Sequence, residues 1–153
     1  MKVHVFVVLF YLLNYGHLAE AQFQIGNQIL GEASGNNAYY SAISADGLTV
    51  AIGEPKAYTI GSNDGLVRVF EWDGSAWIQK GQNIDGWESN HELGRVALSG
   101  DGNRLIVGPS VLSKPIRVYE YDGSSWVQVG NTFTVADMGS GLSKVDISLD
   151  GSR

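Results

Sequence analysis

From Tyr40 onward the apolar positions fall in short runs of four to seven residues, each stopped by a polar turn. Residues 40–44 are closed by Asp46-Gly47, residues 48–53 by Glu54-Pro55, and residues 66–72 by Asp73-Gly74 ahead of residues 76–79. The scheme then returns at residues 95–99, 104–108, 116–121 and 125–129, with turns at Asp101-Gly102 and Asp122-Gly123. Runs of this length, rich in β-branched and aromatic residues and bounded by Asp-Gly, predict strands joined as hairpins. The Asp-Gly pairs further predict two-residue type I′ turns, which need positive φ at both central residues. No segment after residue 21 sustains a 3.6-residue apolar period, so no helix is expected there.

The runs repeat. Asp73-Gly74-Ser75-Ala76-Trp77 returns 49 residues later as Asp122-Gly123-Ser124-Ser125-Trp126. Ser44-Ala45-Asp46-Gly47 returns as Ser99-Gly100-Asp101-Gly102 and as Ser148-Leu149-Asp150-Gly151, at spacings of 55 and 49. Gln24-Ile25-Gly26, Gln79-Lys80-Gly81 and Gln128-Val129-Gly130 keep the same two spacings. Repeats of roughly 40–50 residues built from short strands signify propeller blades or a related array. The third run of each repeat places Val67, Val69 and Glu71 on one face and Arg68, Phe70 and Trp72 on the other, because successive strand residues alternate. Neither face is plainly polar, which suits a sheet held between neighbouring sheets, so Phe70, Tyr119, Trp77 and Trp126 are expected as packing residues.

The expected fold class is therefore all-β: a partial β-propeller of about two and a half four-stranded antiparallel blades. The repeats run over about residues 24–78, 79–127 and 128–153, the last incomplete. The segment 23–27 matches the last strand of each later repeat, and is expected as an outer strand without its own blade. An unclosed array of this kind is expected to leave terminal faces exposed, carrying Val67, Val69, Ile116 and Val118 or the aromatic residues opposite them. A truncated product or fragment of a longer repeat protein, a short chain that assembles into a ring with other copies, and an open, partly stable array all fit this pattern.

The first residues change the picture. Lys2 precedes nine apolar residues, 5–13, and a more polar stretch ending Ala19-Glu20-Ala21. That order predicts a secretory signal peptide over residues 1–21, cleaved between Ala21 and Gln22. Nine apolar residues are too few to cross a bilayer core, which needs about 20. The remaining 132 residues, 22–153, form the repeat region, expected as a secreted, extracellular product without a membrane span. A formal charge of −6 argues against nucleic acid or anionic membrane as partner. Cysteine is absent, so no disulfide supplements the core.

Trp77-x-Gln79-x-Gly81, Val96-x-Leu98-Ser99-x-Asp101-Gly102 and, from the preceding repeat, Ile52-Gly53-Glu54-Pro55 resemble the FG-GAP class of repeats, which builds the β-propeller head of integrin α-chains. Leu93-Gly94 stands where that family has Phe-Gly, with Ala38-Tyr39 and Leu142-Ser143 in the corresponding places. Gly53-Glu54-Pro55 stands for its Gly-Ala-Pro, of which the second copy keeps Gly108-Pro109. The resemblance covers residues 24–153, and implies a propeller fold with an extracellular binding role toward a protein or glycan. Trp72-Asp73 mimics a WD40 dipeptide, but its counterpart is Tyr121-Asp122 and no Gly-His precedes it. The double glycine of kelch repeats is absent, and the sialidase Asp-box has its aspartate and glycine spaced differently.

Members of the FG-GAP class often hold calcium in an Asp-rich loop between the first two strands of a blade. The loops at Asp46-Gly47, Asp101-Gly102 and Asp150-Gly151 each offer one carboxylate, whereas calcium takes six to eight oxygens. No metal or other cofactor is expected, and these aspartates, with Asp73-Gly74 and Asp122-Gly123, are expected as turn formers. With one histidine after residue 21 and no cysteine, the common nucleophile–base pairs are missing. His91 is expected as a solvated loop residue. A secreted hydrolase using a carboxylate pair such as Glu88 and Glu92 is the alternative to a non-enzymatic binding protein. Further blades, or copies of the chain itself, are the partners expected to close the fold.

Overall fold

A computed structural model of the chain describes residues 24–31, 37–111, 114–134 and 144–153. The expected signal peptide, its junction at Ala21 and Gln22, Phe23 and the Leu142-Ser143 position lie outside the described residues. Among the described residues every regular element is a β-strand, and they form two antiparallel sheets.

The first sheet contains β1 (Tyr40–Ile43), β2 (Thr49–Glu54), β3 (Leu66–Trp72) and β4 (Trp77–Gln79) in that spatial order. A two-residue strand, β5 (Ile84–Asp85), continues the β4 edge by pairing with Leu66 and Val67 of β3. The second sheet has β6 (Leu93–Leu98), β7 (Arg104–Pro109), β8 (Pro115–Tyr121) and β9 (Trp126–Thr134), again in chain order. In the second sheet one long strand, β9, thus takes the place that β4 and β5 share in the first. The sequence pattern anticipated the eight main strands to within two residues, except that β9 runs to Thr134. It missed β5, because a two-residue strand has no alternation to read.

Two-residue type I′ turns are not what the Asp-Gly pairs build. Trp72 pairs with Trp77 and Tyr121 with Trp126, so each hairpin loop has four residues. Only the glycines, Gly74 and Gly123, have positive φ, not Asp73 or Asp122. The aspartate instead folds its side chain into the loop: Asp73 Oδ1 accepts the Ser75 and Ala76 amides at 2.7 and 2.8 Å. Asp122 does the same for Ser124 and Ser125, both at 2.8 Å. Asx-type bonding of this kind satisfies the loop amides without forcing aspartate into the left-handed region.

The alternation read from the sequence sets the layering. Register places Ala42, Ala51 and Val69 on one face of the first sheet, and Leu98, Leu105 and Tyr119 on one face of the second. These two faces meet as the core, where Ala51, Val67, Val69, Leu105 and Val107 are wholly buried with Tyr119 and Trp126 against them. Of the two faces that were candidates for exposure on the first sheet, that of Val67 and Val69 is covered by the second sheet, and the aromatic face opposite is the outer one. Ile116 is buried too, and Val118 is half-buried. At their closest the sheets touch backbone to backbone: a Cβ on Gly53 would run into the Gly94 carbonyl. Nearby, the carbonyls of Ser62, Asn63 and Asp64 accept the amides of Asn90, Glu92 and Leu93 at 2.8, 2.9 and 2.9 Å.

The opposite face of the first sheet holds a buried ion pair. Arg68 donates to Glu54 and, at 2.8 Å, to the Leu30 carbonyl. Residues 24–31 form no strand and lie against this face instead of extending the ladder.

Candidate functional site

The three Ser-x-Asp-Gly segments fold identically. Ser44 Oγ donates to Asp46 Oδ1 at 2.6 Å, and the Leu48 amide adds a second bond at 2.9 Å. Ser99 with Asp101, and Ser148 with Asp150, repeat the 2.6 Å contact, and the Asn103 and Ser152 amides take the second place. Each serine bond, reinforced by the amide, favours the ionised carboxylate and lowers its pKa, to about 2 at Asp150. Gly47, Gly102 and Gly151 all have positive φ. The turns also join sideways, with the Ala45 amide donating to Gly100 O at 2.9 Å and the Gly100 amide to Leu149 O at 2.7 Å. Each aspartate is engaged by its own turn, and no cluster of three or more His, Cys, Asp or Glu occurs among the described residues.

The Gln-x-Gly segments form a second repeated device. Gly81 and Gly130 have positive φ where the outer strand bulges, and the preceding glutamine spans the bulge. Gln79 Nε2 donates to Gly81 O at 3.3 Å and Asn83 Oδ1 at 2.9 Å, and Gln128 Nε2 to Gly130 O at 3.3 Å and Thr132 Oγ1 at 3.2 Å. Gln24 Nε2 reaches Gly26 O at 3.2 Å in the same way.

These bulges are where one unit grips the next. Trp126 Nε1 donates to Lys80 O at 2.8 Å, while the Trp126 amide and carbonyl bond the Gln82 side chain, both at 2.9 Å. A Cβ on Gly81 would lie 2.8 Å from the Trp126 ring, so glycine serves both the positive φ and the close approach. One position earlier in the repeat, Trp77 Nε1 donates to Ile25 O at 3.3 Å and the Trp77 amide to Asn27 Oδ1 at 3.0 Å. Gly26 rests on the Trp72–Trp77 pair as Gly81 rests on Tyr121–Trp126. Buried Lys80 completes the second junction, with Nζ 3.0 Å from both Glu71 Oε1 and Asn103 Oδ1 and 4.9 Å from the Tyr121 ring centre.

Gly130, the third copy, has nothing near its Cβ direction. Beside it, an open groove of about 420 Å³ runs over the outer face of the second sheet, floored by Ile106, Val118, Val129 and Phe133 and bordered by residues 146–153.

His91 is not solvated. It is completely buried, packs at a tilt against Trp87 with ring centres 4.0 Å apart, and its Nε2 lies 3.2 Å from Pro115 O. Arg117 covers the other ring of this corner, 3.7 Å from the Trp87 centroid. The polar run 88–92 reads as surface, yet the loop turns inward because its amides bond residues 62–64 of the first sheet. Burial lowers the His91 pKa, with Lys114 and Arg117 adding to that effect and the Pro115 carbonyl and Glu88 opposing it. The unfolded chain therefore binds the proton more tightly, so His91 stabilises the fold fully above about pH 6.5 and less as pH falls below it. Thermal midpoints are expected to drop on acidification through that window, and His91→Phe to flatten the slope there. An unchanged slope in the variant would assign the acid sensitivity elsewhere.

Glu88 and Glu92 each have their own partners, Lys114 at 3.2 Å for Glu88, and Lys56 with Ser110 for Glu92. The ion pair most strongly shielded from water among the described residues, Glu54 and Arg68, was not singled out in the sequence, where Glu54 stands as the middle residue of Gly53-Glu54-Pro55. No family model, curated protein or solved structure matches the chain.

Proposed function

We propose that this chain is a secreted, non-enzymatic binding module of the FG-GAP type, its sheets stacked as successive blades of a propeller array. The observation that supports this reading is the repeated junction. Residues 24–27 meet the first sheet through the same Gln-x-Gly and tryptophan contacts by which residues 79–82 meet the second. A third turn, Ser148 to Gly151, then stands beside the second sheet as that sheet's own turn stands beside the first. Units related by one recurring step are what a blade array requires. Repeat arrays present their inter-repeat loops and grooves to macromolecular ligands, so the partner class is an extracellular protein or glycan.

Expression of the full chain in a secreting host tests the reading in two parts. The secreted product is expected to begin at Gln22, and to be retained by immobilised extracellular glycans or proteins without hydrolysing a glycoside and phosphoester panel. Retention of residues 1–21 in a cell-bound product would refute the secretory assignment. Turnover of any panel member would refute the binding assignment in favour of a hydrolase.

A further inference from the structure

The groove on the second sheet is made from the repeat counterparts of residues that already form a junction. Ala51, Val69, Lys80, Gly81 and Ile84 of the first sheet correspond to Ile106, Val118, Val129, Gly130 and Phe133 by the 55- and 49-residue spacings. The first set lies under the second sheet, where Ala51, Val69, Lys80 and Ile84 are buried. The second set floors the open groove, with Phe133 45% exposed and no ring against Gly130. We infer that this groove is a docking face for the first sheet of a second copy of the chain, which would seat its Trp72–Trp77 pair on Gly130.

The sequence of the gripping segment supports that occupant. Residues 128–131 read Gln-Val-Gly-Asn, and residues 24–27, which hold the Trp72–Trp77 pair within one copy, read Gln-Ile-Gly-Asn. Asn131 of one copy can therefore accept the Trp77 amide of the next, as Asn27 does now at 3.0 Å. Two segments hold these places in the single chain. Residues 24–30 cover the aromatic pair through the bonds to Trp77 and Arg68. Residues 145–151 sit where the incoming β1 and its turn belong, held by Gly100 N to Leu149 O at 2.7 Å and Arg104 to Gly151 O at 3.0 Å. Docking exchanges both for equivalent contacts from the neighbouring copy, and adds burial of Ile106, Val118, Val129 and Phe133. The contact is head to tail, so successive copies add in one direction and do not stop at a symmetric pair.

The chain from Gln22, purified and followed by light-scattering mass across the micromolar range, tests this directly. The weight-average mass is expected to rise with concentration past that of a dimer. Deleting residues 24–31 removes the competitor for the aromatic pair, and is expected to lower the half-assembly concentration by about tenfold or more. Val129→Glu and, separately, Phe133→Ser change groove residues that the single chain leaves partly open. Both are expected to stay monomeric with unchanged circular dichroism. A wild-type chain that remains monomeric throughout, a species that halts at a dimer, or groove variants that assemble like wild type would each overturn the assignment. None of these outcomes bears on secretion or on ligand binding.

Discussion

Trp126→Ala is expected to lower the unfolding free energy by about 3–5 kcal/mol, the range for truncating a large buried aromatic. Trp126 is only 3% exposed, packs with its ring tilted against Tyr121 at 5.3 Å between centres, and carries an indole bond to Lys80 O. Its repeat counterpart Trp77 is half-buried, and its indole donates to the short segment 24–27. Trp77→Ala is therefore expected to cost roughly 1–2 kcal/mol, in line with partial burial. Urea unfolding of both variants measures the difference. Equal losses would mean that the two hairpins contribute alike, and that the sheet-to-sheet contact adds nothing at Trp126.

Glu54→Ala is expected to be as damaging, about 3–5 kcal/mol, because it strands a buried guanidinium. The Glu54 and Arg68 side chains are 1% and 7% exposed, and among the described residues Arg68 would keep the Leu30 carbonyl and the Phe70 ring but no counter-charge. The pair itself is incompletely satisfied: Glu54 Oε2 and Arg68 Nε have no hydrogen-bond partner among the described residues. Replacing both together, Glu54→Leu with Arg68→Met, is therefore expected to restore stability to within about 1 kcal/mol of wild type or above it. The second repeat already dispenses with the pair: Pro109 stands for Glu54, and Arg117 lies on Trp87. A double variant as unstable as Glu54→Ala would show that Arg68 has a structural role beyond neutralising Glu54.

The strands were legible because their signals are local. Asp-Gly turns, β-branched runs and the alternation of Val67, Val69 and Glu71 with Arg68, Phe70 and Trp72 each act within a few residues. The matched spacings also revealed that two sheets would share one design. What the sequence pattern concealed was set by contacts distant along the chain. His91 sits in a run as polar as any surface loop, and is buried because residues 62–64 draw that loop inward. Val67 and Val69 were candidates for exposure, but the pattern does not say which face the next sheet covers. The repeated glutamine two places before glycine was visible as a marker, yet its purpose, spanning a bulge through its own amide, became clear only from the geometry.

The reading of this chain as a stack built by one recurring junction is tested most directly by amide hydrogen exchange at Trp77 and Trp126. Each amide donates to a side chain of the preceding unit, Asn27 at 3.0 Å and Gln82 at 2.9 Å. Both should exchange slowly in the wild-type protein, with Asn27→Ala releasing only Trp77 and Gln82→Ala releasing only Trp126. Free exchange of Trp77 in the unaltered chain, or release of both amides by either substitution, would mean that the two junctions are not the same device.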